Sequence, residues 1–186
     1  MRLLRAGSRT AVPWRNGGGM TTGVAAWPVG AFLDGFDWRI SLARVDRDGP
    51  FSTFLGVTRT QLLLSGGPIT LVGPNWKAEL AEGSDPVTFD GRDAVEASAR
   101  SPATVLNVMT RRAVYTHSLQ SLELAEPVDI AAEAAEHVLI ALDDGVTTDA
   151  LTLGVLDALW LSPGDTVTLA PIAPARILSI TLCPTS

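Results

Sequence analysis

Short segments of alternating character follow one another along nearly the whole chain, and this constrains the fold more than any other feature. Phe36-Asp37-Trp38-Arg39-Ile40-Ser41-Leu42-Ala43 alternates apolar and mostly polar residues with period two, the mark of a half-buried strand. Thr58–Ser65 stops at Gly66-Gly67-Pro68 and Ile69–Val72 resumes, which predicts two strands joined by a turn. Further strand candidates lie at Ala78–Ala81, Pro86–Phe89, Ala94–Ala99, Thr104–Tyr115, His137–Leu142, Leu151–Leu153, Ala158–Leu161, Thr166–Leu169 and Ile177–Leu182. Turn residues separate them at fairly regular spacing, so the expected class is all-β, a sandwich or barrel. The one helical candidate of note, Asp129–Glu136, is short and alanine-rich, and reads equally as a linker or a single turn.

A chain of 186 residues with 46% apolar content can bury a sizeable core. No apolar run reaches the roughly 18 residues needed to span a bilayer, and Met1-Arg2-Leu3-Leu4-Arg5 lacks a signal-peptide apolar region. A single cysteine, Cys183, leaves no internal disulfide framework and fits a reducing cytoplasm. The formal net charge of −6 argues against general nucleic-acid binding, because phosphate contacts need a basic surface. No membrane or nucleic-acid partner is therefore expected.

A weak internal repeat shapes the expected domain organisation. Leu62-Leu63-Leu64-Ser65-Gly66-Gly67 is echoed by Ile140-Ala141-Leu142-Asp143-Asp144-Gly145, and Phe89-Asp90-Gly91-Arg92-Asp93 by Leu161-Ser162-Pro163-Gly164-Asp165. Ala158–Leu169, continuing through Ala175–Ile180, resembles the closing strands of a cupin barrel, with Pro163-Gly164-Asp165 turning one strand into the next. The expectation is two small antiparallel β-barrels or jelly rolls packed as one unit. Residues 1–118 would form an N-terminal cupin-like barrel and 119–186 a degenerate C-terminal one, divided near 118–132.

Pro13-Trp14-Arg15-Asn16-Gly17-Gly18-Gly19-Met20-Thr21 is the most unusual local stretch. Three consecutive glycines disfavour regular structure, since each loses the most backbone entropy on ordering. Such a run suits positive φ or close approach to another group, and Trp14, Arg15 and Asn16 add a flat face, a cation and an amide. It reads either as a binding loop or as a tight turn with Trp14 packed in the core.

Five motifs taken together resemble the HutD/Ves family. They are Pro13–Gly19, Phe36-Asp37-Trp38-Arg39, Asp48-Gly49-Pro50-Phe51-Ser52-Thr53-Phe54, Arg59 before Leu62–Leu64, and Asn107-Val108-Met109-Thr110-Arg111-Arg112. The resemblance is specific across about residues 8–115 and looser beyond. It implies a bicupin fold, a cytoplasmic bacterial protein and an association with histidine-utilisation genes, with a sensing role for an acid such as formylglutamate and no established catalysis. Four positions depart from the family pattern. Gly23 and Ser65 stand where acidic residues are common, Leu55 where proline is usual, and Val105 where aspartate is frequent.

Catalytic constellations are not evident in the residues. A catalytic cupin centre typically takes about three imidazoles and a carboxylate, but His117 and His137 are twenty residues apart and match no ligand spacing. His117 reads as a strand-end surface residue and His137 as the opening of a strand. Cys183 has no histidine near it in sequence, no Gly-x-Ser-x-Gly elbow occurs, and neither glycine cluster leads into a P-loop helix. No metal site, cofactor or catalytic residue is called for.

An arginine-and-amide constellation remains. Alternation over Val105–Val114 puts Asn107, Met109 and Arg111 on one face, and Arg39 lies beside Ser41 on its own strand. An arginine fork matches a carboxylate, and an asparagine amide can fix a carbonyl or formyl oxygen. The expected ligand is a small anionic metabolite. Arg39, Arg59 and Arg111 would be its carboxylate partners, Asn16 and Asn107 the amide contacts, Trp14 a wall, and Arg15, Gly17 and Gly18 further contacts on the loop. Against this, the arginines could decorate solvent-facing strands or pair with Asp37, Asp46 and Asp48. Two other functions stay open: a metal-free or carboxylate-metal cupin enzyme of isomerase type acting on a small acid or sugar, and an interaction protein whose exposed sheet edge pairs with a second copy as a homodimer.

Overall fold

In the computed structural model, residues 1–31 and 35–185 are described. Their only helical turn is the 3₁₀ segment Ala6–Ser8; the rest of the regular structure is β, as the alternation demands. Two compact units are present. One spans Thr10–Tyr115 with Thr185, and the other combines Met1–Arg9 with Thr116–Pro184.

The Thr10–Tyr115 unit is built from a six-stranded and a four-stranded sheet. The larger runs Ala11–Pro13, Gly19–Trp27, Trp38–Val45, Ala103–Arg111, Val57–Gly66, Val87–Asp90 in spatial order. The smaller runs Gly49–Pro50, Glu96–Ala99, Ile69–Val72, Lys77–Leu80. Every adjacent pair is antiparallel. Residues of both sheets, including Val45, Leu63, Ile69, Leu71, Leu80 and Val105, form one buried cluster. Ile69 and Leu71, and likewise Ala103 and Val105, are alternate residues of their strands, as expected of a barrel whose wall is a pleated sheet.

The second unit repeats the plan. Arg2–Leu4, Ala158–Leu161, Glu136–Ala141, Ala175–Pro184 and Tyr115–Leu124 form a five-stranded sheet. Val128–Ala131, Thr166–Pro171, Val146–Thr147 and Thr152–Leu153 form a four-stranded one. Leu139, Leu153, Leu159, Leu161, Leu169 and Ile177 lie in its core.

Four local expectations differ from the structure. Asp129–Glu136 is no helix: Val128–Ala131 is a strand paired with Thr166–Leu169, and Val128 and Ile130 point at the core. Period-two packing there outweighs the helix propensity of the alanines that follow. The division near 118–132 begins inside the ten-residue strand Tyr115–Leu124. Met1–Arg9, grouped by sequence with the first barrel, pairs instead with the second, Arg2 opposite Trp160 and Leu4 opposite Ala158. Asp157 holds it there, accepting from Arg5 Nη1 at 2.6 Å and from the Ala6 N–H at 2.7 Å. Finally, Gly19 begins a strand, opposite Val45. A Cβ on it would lie 2.0 Å from the Arg44 carbonyl oxygen, so close backbone approach is what requires glycine there.

Candidate functional site

Strand register assembles the site. Arg39 and Arg59 both lie opposite Met109, on either side of the Ala103–Arg111 strand. In the next inward-facing row Ser41 and Gln61 both lie opposite Asn107. Side chains directly opposite in a sheet share a face, so the period of two along three strands gathers two arginines, two amides, a hydroxyl and a thioether inside the barrel. One row further on, Val105 is flanked by Ala43 and Leu63, which closes the polar patch with apolar packing. The patch is deep: Ser41 and Gln61 are 1% exposed, Asn107 4%, Arg59 6% and Arg39 8%.

Aromatic rings line the two guanidinium groups. Arg39 lies 5.1 Å from the Phe36 ring and 5.4 Å from that of Phe54. Arg59 lies 5.0 Å from Phe89, its cross-strand neighbour, and 5.5 Å from both Phe51 and Phe54. Phe54 thus touches both cations, and the segment that carries it is anchored by the Phe54 N–H donating to the Gly91 carbonyl at 2.6 Å. Cation–π attraction is strongest where, as here, water is excluded.

The hydrogen-bond pattern is one-sided. Arg59 donates from Nε and Nη2 to Asn107 Oδ1, each at 3.3 Å, and from Nη1 to the Ser52 carbonyl at 3.0 Å. Gln61 Nε2 donates to the same Asn107 oxygen at 3.3 Å, and Arg39 Nη2 approaches Met109 Sδ at 3.1 Å. Among the described residues no carboxylate pairs with Arg59. Burial, and secondarily the like charge of Arg39, pull its guanidinium down to about 9, so it stays protonated at neutral pH. Among the described residues only neutral groups hold this buried cation, which leaves its charge uncompensated.

The residues anticipated from sequence fall into four places. Arg39, Arg59 and Asn107 meet in the buried patch. Arg111 follows Met109 on the same face at the strand end, half-buried, its Nε 3.4 Å from the Phe36 carbonyl oxygen. Trp14 stands one layer behind: its ring meets Phe51 edge-on at 6.1 Å, and its Nε1 donates to Thr21 Oγ1 at 2.7 Å. Arg15, Asn16 and Gly17 are exposed, and the loop uses its own polar groups. Asn16 Oδ1 accepts from the Gly18 N–H at 2.9 Å, and Arg47 donates to the Gly17 carbonyl at 2.6 Å. Asp46 and Asp48 are engaged elsewhere, with Arg44 and with Ser98 and Ala99. Gln61 and Phe89 lie outside the sequence-predicted site, and Phe36, Phe51, Ser52 and Phe54 enter the sequence reading as motif residues without a role in it. The period-two signal that selects Arg59 extends to Gln61, but the ring contacts have no local signature.

His117 and His137 lie in the other unit. His117 is the third residue of its strand and half-buried rather than at a strand end on the surface, and burial holds it near 4. Among the described residues no group of three or more His, Cys, Asp or Glu side chains is placed to hold a metal ion. No helix among them is long and apolar enough to cross a membrane.

The HutD family model matches residues 6–178, across both units. The chain belongs to the HutD family. It is 41% identical over 101 residues to protein Ves of Citrobacter koseri, which covers 53% of this chain and 52% of that one. It is also 36% identical over 95 residues to an uncharacterised 21.2 kDa protein in the hutC 3′ region of Pseudomonas putida, covering 51% and 50%. The chain thus spans about half the length of the curated relatives it matches. Among solved structures, it superposes on PA5104 of Pseudomonas aeruginosa PAO1, a protein of unknown function, with a TM-score of 0.87 and 28% identity over 98% of both chains. HutD from Pseudomonas fluorescens SBW25 gives a TM-score of 0.84 at 24% identity, covering 100% of this chain and 99% of that one, and there the likeness is of fold. The all-β architecture read from the sequence is shared with these solved structures over nearly the whole chain.

Proposed function

We propose that this HutD-family protein binds a small carboxylic acid inside its N-terminal barrel and serves as a sensor or regulator linked to histidine utilisation. The observation that carries the reading is Arg59, 6% exposed and charged, held by Asn107, a backbone carbonyl and three aromatic rings, without a carboxylate among the described residues. A carboxylate entering beside it gains a charge-assisted, water-excluded partner. Arg39 lies close enough to depress the Arg59 guanidinium, so the same anion lies in the field of both. Guanidinium and amide groups bind and orient, whereas turnover needs a group poised to exchange protons near neutrality, which Asn107, Gln61, Ser41 and Met109 do not supply. Binding is therefore the role that these residue types support.

The link to histidine utilisation rests on family membership and on the chromosomal position named for the P. putida relative. It makes a formylglutamate-type pathway acid the first ligand to test. The single cysteine supports a cytoplasmic setting. Calorimetric titration with formylglutamate, glutamate, histidine, urocanate and formate, on the wild type and on Arg59→Met, tests the reading. Saturable 1:1 binding of one acid, lost in Arg59→Met while the variant stays folded, is the expected result. Binding that survives Arg59→Met, or no binding of any carboxylate, would overturn it.

A further inference from the structure

The patch holds two acceptor atoms that a simple carboxylate leaves unsatisfied. Gln61 Oε1 and Ser41 Oγ are both shut off from solvent, and neither has a hydrogen-bond partner among the described residues. The orientation of the Gln61 amide follows from its neighbours. Arg59 can only donate, so the Asn107 atom that faces it must be the oxygen. That oxygen also faces Gln61, so the Gln61 atom directed at Asn107 must be the donor Nε2. Oε1 is then turned away from Asn107, and neither of its lone pairs receives a donor among the described residues. Burying an amide oxygen in this state is costly, and a native structure retains it where something else completes the bond.

We infer that the ligand bears a neutral hydrogen-bond donor, a hydroxyl or an amide N–H, beside the carboxylate that meets Arg59, and that Gln61 Oε1 receives this donor. Ser41 lies opposite Asn107 on the far side of the same row and offers a second, adaptable contact, since a hydroxyl both donates and accepts. Arg59 and Gln61 are two residues apart on one strand, which sets their Cα atoms roughly 7 Å apart. A four- or five-carbon acid spans such a distance. The donor is neutral because an ammonium group would enter the field of the Arg59 charge. The inference rests on the carboxylate reading above and narrows it from acids in general to hydroxy or N-acyl acids.

Matched ligands separate the two claims. Glutarate, 2-hydroxyglutarate and glutamate differ only in carrying no donor, a neutral donor or an ammonium at one carbon. The wild type is expected to bind 2-hydroxyglutarate tenfold or more tighter than either of the others. Gln61→Met keeps the side-chain length and removes the acceptor, and should bring 2-hydroxyglutarate to the affinity of glutarate while leaving glutarate itself within about threefold. Should Gln61→Met fold poorly, Ser41→Ala gives a milder loss of the same preference, and circular dichroism reports on the fold of each. Equal wild-type affinity for glutarate and 2-hydroxyglutarate would overturn the donor inference and leave the carboxylate site standing. Equal loss of both acids in Gln61→Met would do the same. Failure of all three, and of formylglutamate, to bind would sink both.

Discussion

Replacing Arg59 by methionine should leave this protein as stable as before or slightly more so, which is the reverse of what removing a buried arginine usually does. Methionine roughly matches the length of the aliphatic stem and keeps apolar contact with Phe51, Phe54 and Phe89. Against the change stand the lost attractions to those three rings, about 1 kcal/mol each, and the hydrogen bonds to Asn107 and Ser52, together about 2 kcal/mol net. In its favour stands relief of an uncompensated charge. Displacement of the guanidinium from its ordinary range down to about 9 corresponds to a cost of at most about 5 kcal/mol. These opposing contributions cancel to within a kcal/mol or so. For a chain of this length 1 kcal/mol moves Tm by roughly 2–4 °C. Differential scanning calorimetry of the ligand-free proteins at pH 7 should therefore place Arg59→Met within about 4 °C of the wild type. A fall of 10 °C or more would mean that Arg59 is a satisfied structural residue, and the case for a waiting anion site would collapse with it. Such neutrality in stability, coupled to loss of binding, marks a residue kept for function.

Three further outcomes follow from particular contacts. Gly91→Ala would push a Cβ to 2.6 Å from the Phe54 carbonyl and 2.9 Å from that of Val57, both backbone atoms. The 51–56 segment must then shift, at a cost of about 1–3 kcal/mol in chemical denaturation and with weaker acid binding, because Phe54 caps both guanidiniums. Burial keeps His117 neutral to about 4, whereas the unfolded chain takes up its proton near 6.5. The unfolded state thus binds more protons between those values, so stability is full above pH 6.5 and falls as pH drops towards 4, by up to about 3 kcal/mol. His117→Gln should remove most of that loss in urea titrations at pH 7 and pH 4.5. Gly23 faces Ser41 across the sheet. Gly23→Glu would bring a carboxylate of the protein's own to the guanidiniums, raising Tm and abolishing binding of added acid; an unchanged affinity would contradict this placement.

Parts of the site were legible because a strand writes its two faces alternately into the chain. Arg39 and Ser41, and likewise Asn107 and Met109, are two apart, and that spacing alone puts each pair on one face. The same rule applied to Arg59 reaches Gln61, but the apolar run Leu62–Leu64 draws attention to its core role and hides the amide. Phe36, the Phe51/Phe54 pair and Phe89 come from three separate segments, so their convergence on two cations is a tertiary fact. The glycine loop misleads for a physical reason. Whether Asn16 and the Gly17 carbonyl are free for a ligand depends on Gly18 and on Arg47, thirty residues away, and both are spent within the loop. Met1–Arg9 illustrates the same limit, since an edge strand carries no local mark of the partner it will find.

The central claim is that Arg59 receives a carboxylate inside the barrel, and the Arg59 Nε–H resonance reports on it most directly. In ¹⁵N-arginine-labelled protein, with the signal assigned by its absence from Arg59→Met, titration with the tightest-binding acid should shift this resonance saturably. Its midpoint should match the calorimetric Kd, and the exposed Arg15 and Arg47 signals should stay in place. Saturable binding that leaves the Arg59 resonance unmoved would put the anion elsewhere and contradict the account.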